Sequence, residues 1–196
     1  ISTVITVIGQ VALCATAGYS FARVRFPGRN ILFVLVLGVL MIPSQIFLMP
    51  QYLVVQKMGL LNTIRALFLP NLFSAFGTFL LRQSFLSLPV ELEEAATLDG
   101  CNRFQIFYKI MLPLTKSSLV ALAIMTMKFA WNDLMWPLIV NTSAKKMTLA
   151  PLLSSMVSEY GTNYPVQMMA VLPIVILFII FQKQFIEGVA HTGVKG

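Results

Sequence analysis

Carboxylates are scarce in this 196-residue chain, which has seven acids against fourteen lysines and arginines. Four of the seven, Glu91, Glu93, Glu94 and Asp99, stand together in Leu88-Pro-Val-Glu-Leu-Glu-Glu-Ala-Ala-Thr-Leu-Asp-Gly100. Clustered acids can hold a metal, exchange protons or dock a partner. These lack a paired metal-ligand spacing. The single histidine, His191, sits in the tail, and Cys14 and Cys101 are isolated, giving neither a disulfide framework nor a metal spacing. No metal or cofactor is expected on this chain, and a histidine-based catalytic centre has almost nothing to build on. No glycine-rich phosphate loop of the P-loop kind occurs, so ATP hydrolysis by that route is not expected either. A second polar set, Lys128, Trp131, Asn132, Asp133 and Trp136, interrupts an apolar stretch. A charge near a bilayer centre costs about 2.5–3.5 kcal/mol on insertion scales, and is usually functional or paired.

The rest of the chain must position these groups, and its composition says where. It is 58% hydrophobic and 11% charged, with a mean hydropathy of +0.84. Soluble domains carry about 25% charged and about 45–50% apolar residues. Too little polar surface exists to cover a globule in water, so the expected fold is all-α, a polytopic transmembrane helical bundle. The net charge of +7 is scattered without a basic run, which argues against nucleic acid and for topology information.

Spanning helices need about 20 mostly apolar residues. Five candidates follow: 1 to about 21, 31 to about 55, 67 to about 81 (extendable to 85), 118 to about 140, and 166 to 181. Gly9, Ala12, Ala15, Ala17 and Gly18 allow close helix contacts in the first. Pro43 and Pro50 interrupt the second, either as a kink for packing or as a bend lining a pathway, and Gln45 and Gln51 favour a polar cavity. One side would hold Arg23, Arg25, Arg29, Arg82, Arg103, Lys109, Lys116, Lys183 and Lys195. The other would hold Lys57, Arg65, Lys145 and Lys146. The larger set marks the cytoplasmic side, which places the acidic island and the C-terminus there.

Within the island, Pro89 suits a first helical turn, Glu91, Glu93 and Glu94 complement the helix dipole, and Gly100 suits a left-handed stop. A short helix is therefore expected over 89–99, with Leu92, Ala95, Ala96 and Asp99 on one smooth face. Asn102-Arg-Phe-Gln105 resembles a capping box opening a second helix, with Phe104, Phe107, Tyr108 and Met111 as its bulky face. That helix should end at Leu112, before Pro113. Two readings of this helical hairpin stand at this point. It lies on the membrane surface, or it docks a protein; anionic lipid heads repelling the glutamates weigh against the first.

Glu94-Ala95-Ala96, three residues, Gly100, nine residues, Ile110, one residue, Leu112-Pro113 resembles the EAA motif of bacterial ABC importer permeases at every fixed position. Gly18-Tyr-Ser-Phe-Ala-Arg23, Arg25-Phe-Pro-Gly28, Leu80-Leu-Arg-Gln83, Trp131-Asn-Asp-Leu-Met-Trp-Pro-Leu138 and Gly193-Val-Lys-Gly196 are similar to the carbohydrate-uptake branch, of the maltose and glycerol-phosphate type. The resemblance covers the whole chain and implies one type I transmembrane domain over 1–196, with a coupling loop over 83–113. It also implies that the family's first span is missing upstream of Ile1.

What the resemblance further implies is a multi-pass subunit of the bacterial inner membrane, without an ATP site of its own. It moves a sugar or sugar derivative while a cytoplasmic ATPase dimer, carrying ATP and Mg, supplies the energy. An extracytoplasmic solute-binding protein would deliver the cargo, and the second permease subunit would be non-identical. Glu94, Ala95, Ala96, Asp99 and Gly100 would form the contact knob, and Ile110, Leu112 and Pro113 would anchor the loop to the fourth span. Lys128, Trp131, Asn132, Asp133 and Trp136 would be pathway candidates, the tryptophans stacking on a sugar or anchoring at the interface. A helix over Thr148–Tyr160 would meet the binding protein. The rival classes are an intramembrane enzyme, which needs clustered acids or histidines, and an ion-coupled transporter, which needs several intramembrane carboxylates where Asp133 is the obvious one.

Overall fold

Prolines decide where the helices of this chain stop, and the stops shape the bundle. The computed structural model describes residues 1–143, 146–155 and 164–193. Among them the regular structure is helical, with no strand. Helix α1, Ser2–Arg23, is uninterrupted and apolar enough to cross a membrane. Its inward face is Cys14, Ala15, Gly18, Tyr19 and Ala22, the i, i+4, i+7 spacing of a helical stripe. Ala15 and Gly18 lie on this face as the small-residue pattern suggested, whereas Ala12 is exposed. A Cβ on Gly18 would stand 3.0 Å from the backbone nitrogen of Arg82 and 3.1 Å from Leu81 Cβ, so α1 and the helix that carries those residues, α5 (Ala75–Ser87), approach closely there.

The expected second span is not one helix. Helix α2, Arg29–Gly38, tightens into a 3₁₀ turn at Val39–Met41, then turns by 100° into a second 3₁₀ turn, Ser44–Phe47, and α3, Leu48–Lys57. The turn falls at Ile42 and Pro43, both extended with ψ 126° and 127°. The proline ring pushes the residue before it out of the helical region. Pro50 makes no kink, because it falls within the first turn of α3, where its missing N–H has no intrahelical partner to lose. Pro137 and Pro151 occupy the same position in α10, Met135–Val140, and α11, Leu149–Ser155.

The third span is likewise bent, by 45°. It comprises α4, Ile64–Phe68, a 3₁₀ turn at Leu69–Asn71, and α5, Ala75–Ser87. Helix α1 supports this break: Gln10 Nε2 donates to the Asn71 carbonyl (2.9 Å), and Cys14 Sγ adds a contact (3.4 Å) to the Ser74 carbonyl, which Thr78 already bonds. The expected fourth span stops at the end of α9, Lys116–Asn132; Asp133 is extended and α10 sets off separately. Helix α12, Tyr164–Gly193, passes through Pro173 and continues well beyond the expected end at 181; its apolar part is Met168–Gln182. By length and composition, then, one helix and up to three bent pairs qualify as spans among the described residues, and the stretch Met168–Gln182 within α12 is apolar. Of the helix expected over Thr148–Tyr160, α11 is present, and 156–160 lie outside the described residues.

Two apolar cores lie at opposite ends of α1. At its Arg23 end, α1 and α5 pack with the acidic loop around Tyr19, Leu81, Phe85, Phe107 and Met111. Arg82 adds α2 to this end, with its Nε donating to the Phe21 carbonyl (3.2 Å) and its guanidinium 4.1 Å from the centre of the Phe33 ring. At the Ser2 end, Val55, Ala66, Leu67, Trp136 and Val140 form the second core. Trp136 Nε1 ties it by donating to the Ala66 carbonyl at 2.9 Å.

Candidate functional site

The acidic loop is two short helices around a glycine turn. Helix α6, Glu91–Leu98, starts two residues later than the pattern suggested, because Pro89 precedes its cap at Val90. The backbone N–H groups of Glu93 and Glu94 both donate to the Val90 carbonyl. At the other end Cys101 N donates to the Ala96 carbonyl (2.9 Å) and Gly100 N to that of Thr97 (3.0 Å). This pair of bonds is a Schellman stop, and it requires a left-handed residue, supplied by Gly100 at φ +83°. Asn102 and Gln105 then form the capping box, each bond 2.9 Å, that opens α7, Arg103–Ile106.

The second helix does not end at Leu112. Its middle widens into a π turn at Phe107–Met111, where Leu112 N reaches back to the Phe107 carbonyl. A further helical turn, α8, Leu112–Leu114, carries Pro113 through. The wider turn absorbs the proline, whose ring and missing N–H disrupt an ordinary i→i−4 ladder. The break comes at Thr115, where the axis bends by 76° into α9. Both the backbone N–H and the hydroxyl of Thr115 donate to the carbonyls of Met111 and Leu112.

Glu94, Ala95, Asp99 and Gly100 are exposed, as a contact knob requires, but Ala96 departs from that face and packs into the core at 5% exposure. Ile110 and Leu112 are half-buried against the same core, whereas Pro113 is exposed. The aromatic face splits. Phe107 and Met111 are buried, while Phe104 and Tyr108 point out, joined on the far side of Gly100 by Leu98 at 90% exposure. The loop's bond to α1 also escaped the sequence. Arg23 Nε lies 3.1 Å from Glu93 Oε1, an ion pair whose angle falls outside hydrogen-bond geometry. It is the one ion pair among the described residues. Its partners stand seventy positions apart in the chain, beyond any local spacing rule.

Four of the five pathway candidates gather on one open cavity of about 1200 Å³. Lys128, Asn132, Asp133 and Trp136 line it, as do Gln45 and Gln51 beside the Pro43 turn. Ser44 and Asn71, which the sequence did not single out, join them; both sit at helix breaks. Lys128 and Asp133 are not paired: α9 ends between them, and Asp133, the residue before the α10 cap Leu134, accepts through Oδ1 from Trp136 N at 3.4 Å. Trp131 stands elsewhere, in a smaller cavity at the Ser2 end of α1, with its Nε1 donating to the Ala170 carbonyl at 3.2 Å. Trp136 is 4% exposed, so only its edge reaches the large cavity. Among the described residues no three histidine, cysteine or acidic side chains converge for a metal.

A helical bundle with broken spans, a projecting hairpin at one end and, within, a cavity whose largely apolar wall carries a few polar groups defines a membrane transport subunit, and comparison with known proteins gives its family. Residues 15–189 match the family described as binding-protein-dependent transport system inner membrane component, and the chain belongs to it. It is similar to the arabinooligosaccharides transport system permease protein AraQ of Halalkalibacterium halodurans, 43% identical over 99% of this chain and 71% of that protein. The protein of the same name from Bacillus subtilis is 40% identical over 91% of this chain and 65% of its own length. The sn-glycerol-3-phosphate transport system permease protein UgpE of Yersinia pestis is 33% identical over 94% and 68%. A crystal structure of a bacterial ABC transporter involved in the import of the acidic polysaccharide alginate shares the fold. Its TM-score is 0.82 at 23% identity, covering 94% of this chain and 73% of that one. The chain is thus an ABC importer permease, a membrane-embedded transport component whose family works with ATPase and binding-protein partners.

Proposed function

We propose that this permease carries a sugar or sugar derivative across the bacterial cytoplasmic membrane, driven by ATP hydrolysis on a separate subunit. The loop over 83–113 and the C-terminus face the cytoplasm. The knob of Glu94, Ala95, Asp99 and Gly100 seats in a cleft of the ATPase dimer, with Leu98, Phe104 and Tyr108 as apolar contacts beside it. The chain hydrolyses no ATP itself. A solute-binding protein delivers the cargo on the opposite face, and a second, non-identical permease completes the pathway. Lys128, Asn132, Asp133, Gln45 and Gln51 offer hydrogen bonds to a polyhydroxylated cargo from the cavity wall. The relatives' names direct the first trial to arabinooligosaccharides.

The observation that carries this reading is the Gly100 turn: a stop with φ +83°, nothing within 4 Å of a Cβ placed there, at the tip of a hairpin whose inner side is packed. Open space around a fixed turn is room for a partner. ATP-driven closure would act through contacts that differ between two states of the transporter, the only way a partner can shift such an equilibrium. Gly100→Trp should therefore abolish uptake with the protein present in the membrane at its normal level. Uptake with undiminished ATP coupling would refute the docking role.

A further inference from the structure

We infer that Arg23 is the positioning residue that carries movement of the acidic loop into α1 and α5, an inference that rests on the coupling reading above. Arg23 is the last residue of α1. Its Nη2 donates to the carbonyls of Phe85 (2.7 Å) and Leu88 (2.5 Å), which close α5 and begin the loop. Its Nε faces Glu93 of α6 at 3.1 Å, with the two side chains 8% and 19% exposed. One planar, permanently charged fork thus joins the end of α1, the end of α5 and the first turns of α6. A guanidinium holds this geometry better than an ammonium, because its planar group fixes Nη2 on the two carbonyls while its charge faces Glu93, whereas the donors of an ammonium rotate. Both carbonyls lie at the helix end, where intrahelical donors run out, and that of Phe85 otherwise takes a long 3.4 Å bond from Leu88 N.

Packing repeats the connection one turn away. Tyr19 sits one turn before Arg23, its ring centre 5.5 Å from that of Phe85 and 4.9 Å from that of Phe107. Ala96, one turn after Glu93, is buried in the same cluster. Both arms of the hairpin therefore rest on α1. The covalent route from loop to α9 is different in kind, since it runs through a π turn and a 76° bend at Thr115. A push on the hairpin reaches α1 and α5 through a rigid clamp and reaches α9 through a hinge.

The test uses the complete transporter in proteoliposomes, with Cys14 and Cys101 replaced by alanine and a reporter, Thr3→Cys, at the far end of α1. The probe is ATP with magnesium and vanadate, and the readout is the maleimide labelling rate per assembled complex. With Arg23 intact, trapping should change the rate by about fivefold or more, the lower range of coupling between linked sites. Arg23→Gln should hold it within about twofold of the untrapped rate while ATP is still hydrolysed. Glu93→Gln should reproduce that loss in part, and Arg23→Lys should recover only part of the response. The inference is overturned if trapping leaves the reporter unchanged with Arg23 intact. It is also overturned if the variants respond fully, including the case in which less complex assembles but each responds as before. Should Arg23→Gln not assemble, Glu93→Gln and Arg23→Lys decide by the same readout. Gly100→Trp run alongside separates the two readings: a normal response there refutes docking, whereas a lost response there with normal Arg23 variants refutes only the clamp.

Discussion

At the scale of single residues, Gly18 and Gly100 show two different demands for glycine. Gly100 has open space and an unfavourable φ, so any side chain there costs conformation and obstructs a partner. Gly18 is part of a helix and its constraint is distance, since a Cβ there would press on the backbone of Arg82 and Leu81. Backbone cannot rotate away, so overpacking should be paid in helix separation. Gly18→Val is expected to destabilise the chain by about 1–3 kcal/mol, seen as a lower midpoint of thermal unfolding in detergent. An unchanged midpoint would mean that α1 and α5 do not meet as closely as 3.0 Å implies. Of these residues, Gly100 was legible because its role is local: a helix stop written in neighbouring residues. Arg23 was not, because nothing near it in sequence announces Glu93, and basic residues after a span read first as topology. Ala96 was half legible, since its place on a helix was clear but which side the hairpin would bury was not.

At the scale of elements, the sequence located the apolar blocks and misjudged their continuity. Pro43 and Pro50 look equivalent in the sequence, yet one breaks the chain by 100° and the other begins a helix. The difference is where the preceding helix has already stopped, a tertiary fact. Pro113 shows the converse: a rule that ends most helices was overridden by a π turn, and the break moved to Thr115. That break has a specific fastening. Thr115 is 1% exposed and gives two donors to the carbonyls of Met111 and Leu112. Thr115→Val keeps the shape and removes the hydroxyl, forfeiting about 0.5–1.5 kcal/mol, the net worth of a hydrogen bond. The expected loss of about 2–4 °C in the unfolding midpoint is a detergent melting measurement; no loss would show that the backbone N–H alone holds the bend.

At the scale of the whole molecule, the two ends of α1 differ in charge as well as in packing. Its 22 residues span roughly 33 Å at 1.5 Å per residue, close to the thickness of a bilayer's hydrocarbon core. The Arg23 end gathers Arg23, Arg82 and the acidic hairpin with Arg103. The other end is fastened by Asn62, left-handed at φ 57°, whose Oδ1 accepts from Thr142 and Ser143 and whose carbonyl accepts from Lys146 Nζ. Sidedness should follow, because the lysine and arginine excess near span ends sets orientation. Leu98→Cys and Ser143→Cys, both at exposed positions, report the two ends separately once Cys14 and Cys101 are replaced. A membrane-impermeant maleimide should label Leu98→Cys in inside-out vesicles only, and Ser143→Cys in right-side-out vesicles only. Bound ATPase should protect the first and leave the second open. Labelling of both from one side would contradict the span arrangement itself. The exchanged pattern would keep the spans but place the knob where no ATPase could reach it, and the proposed direction of energy flow would fall with it.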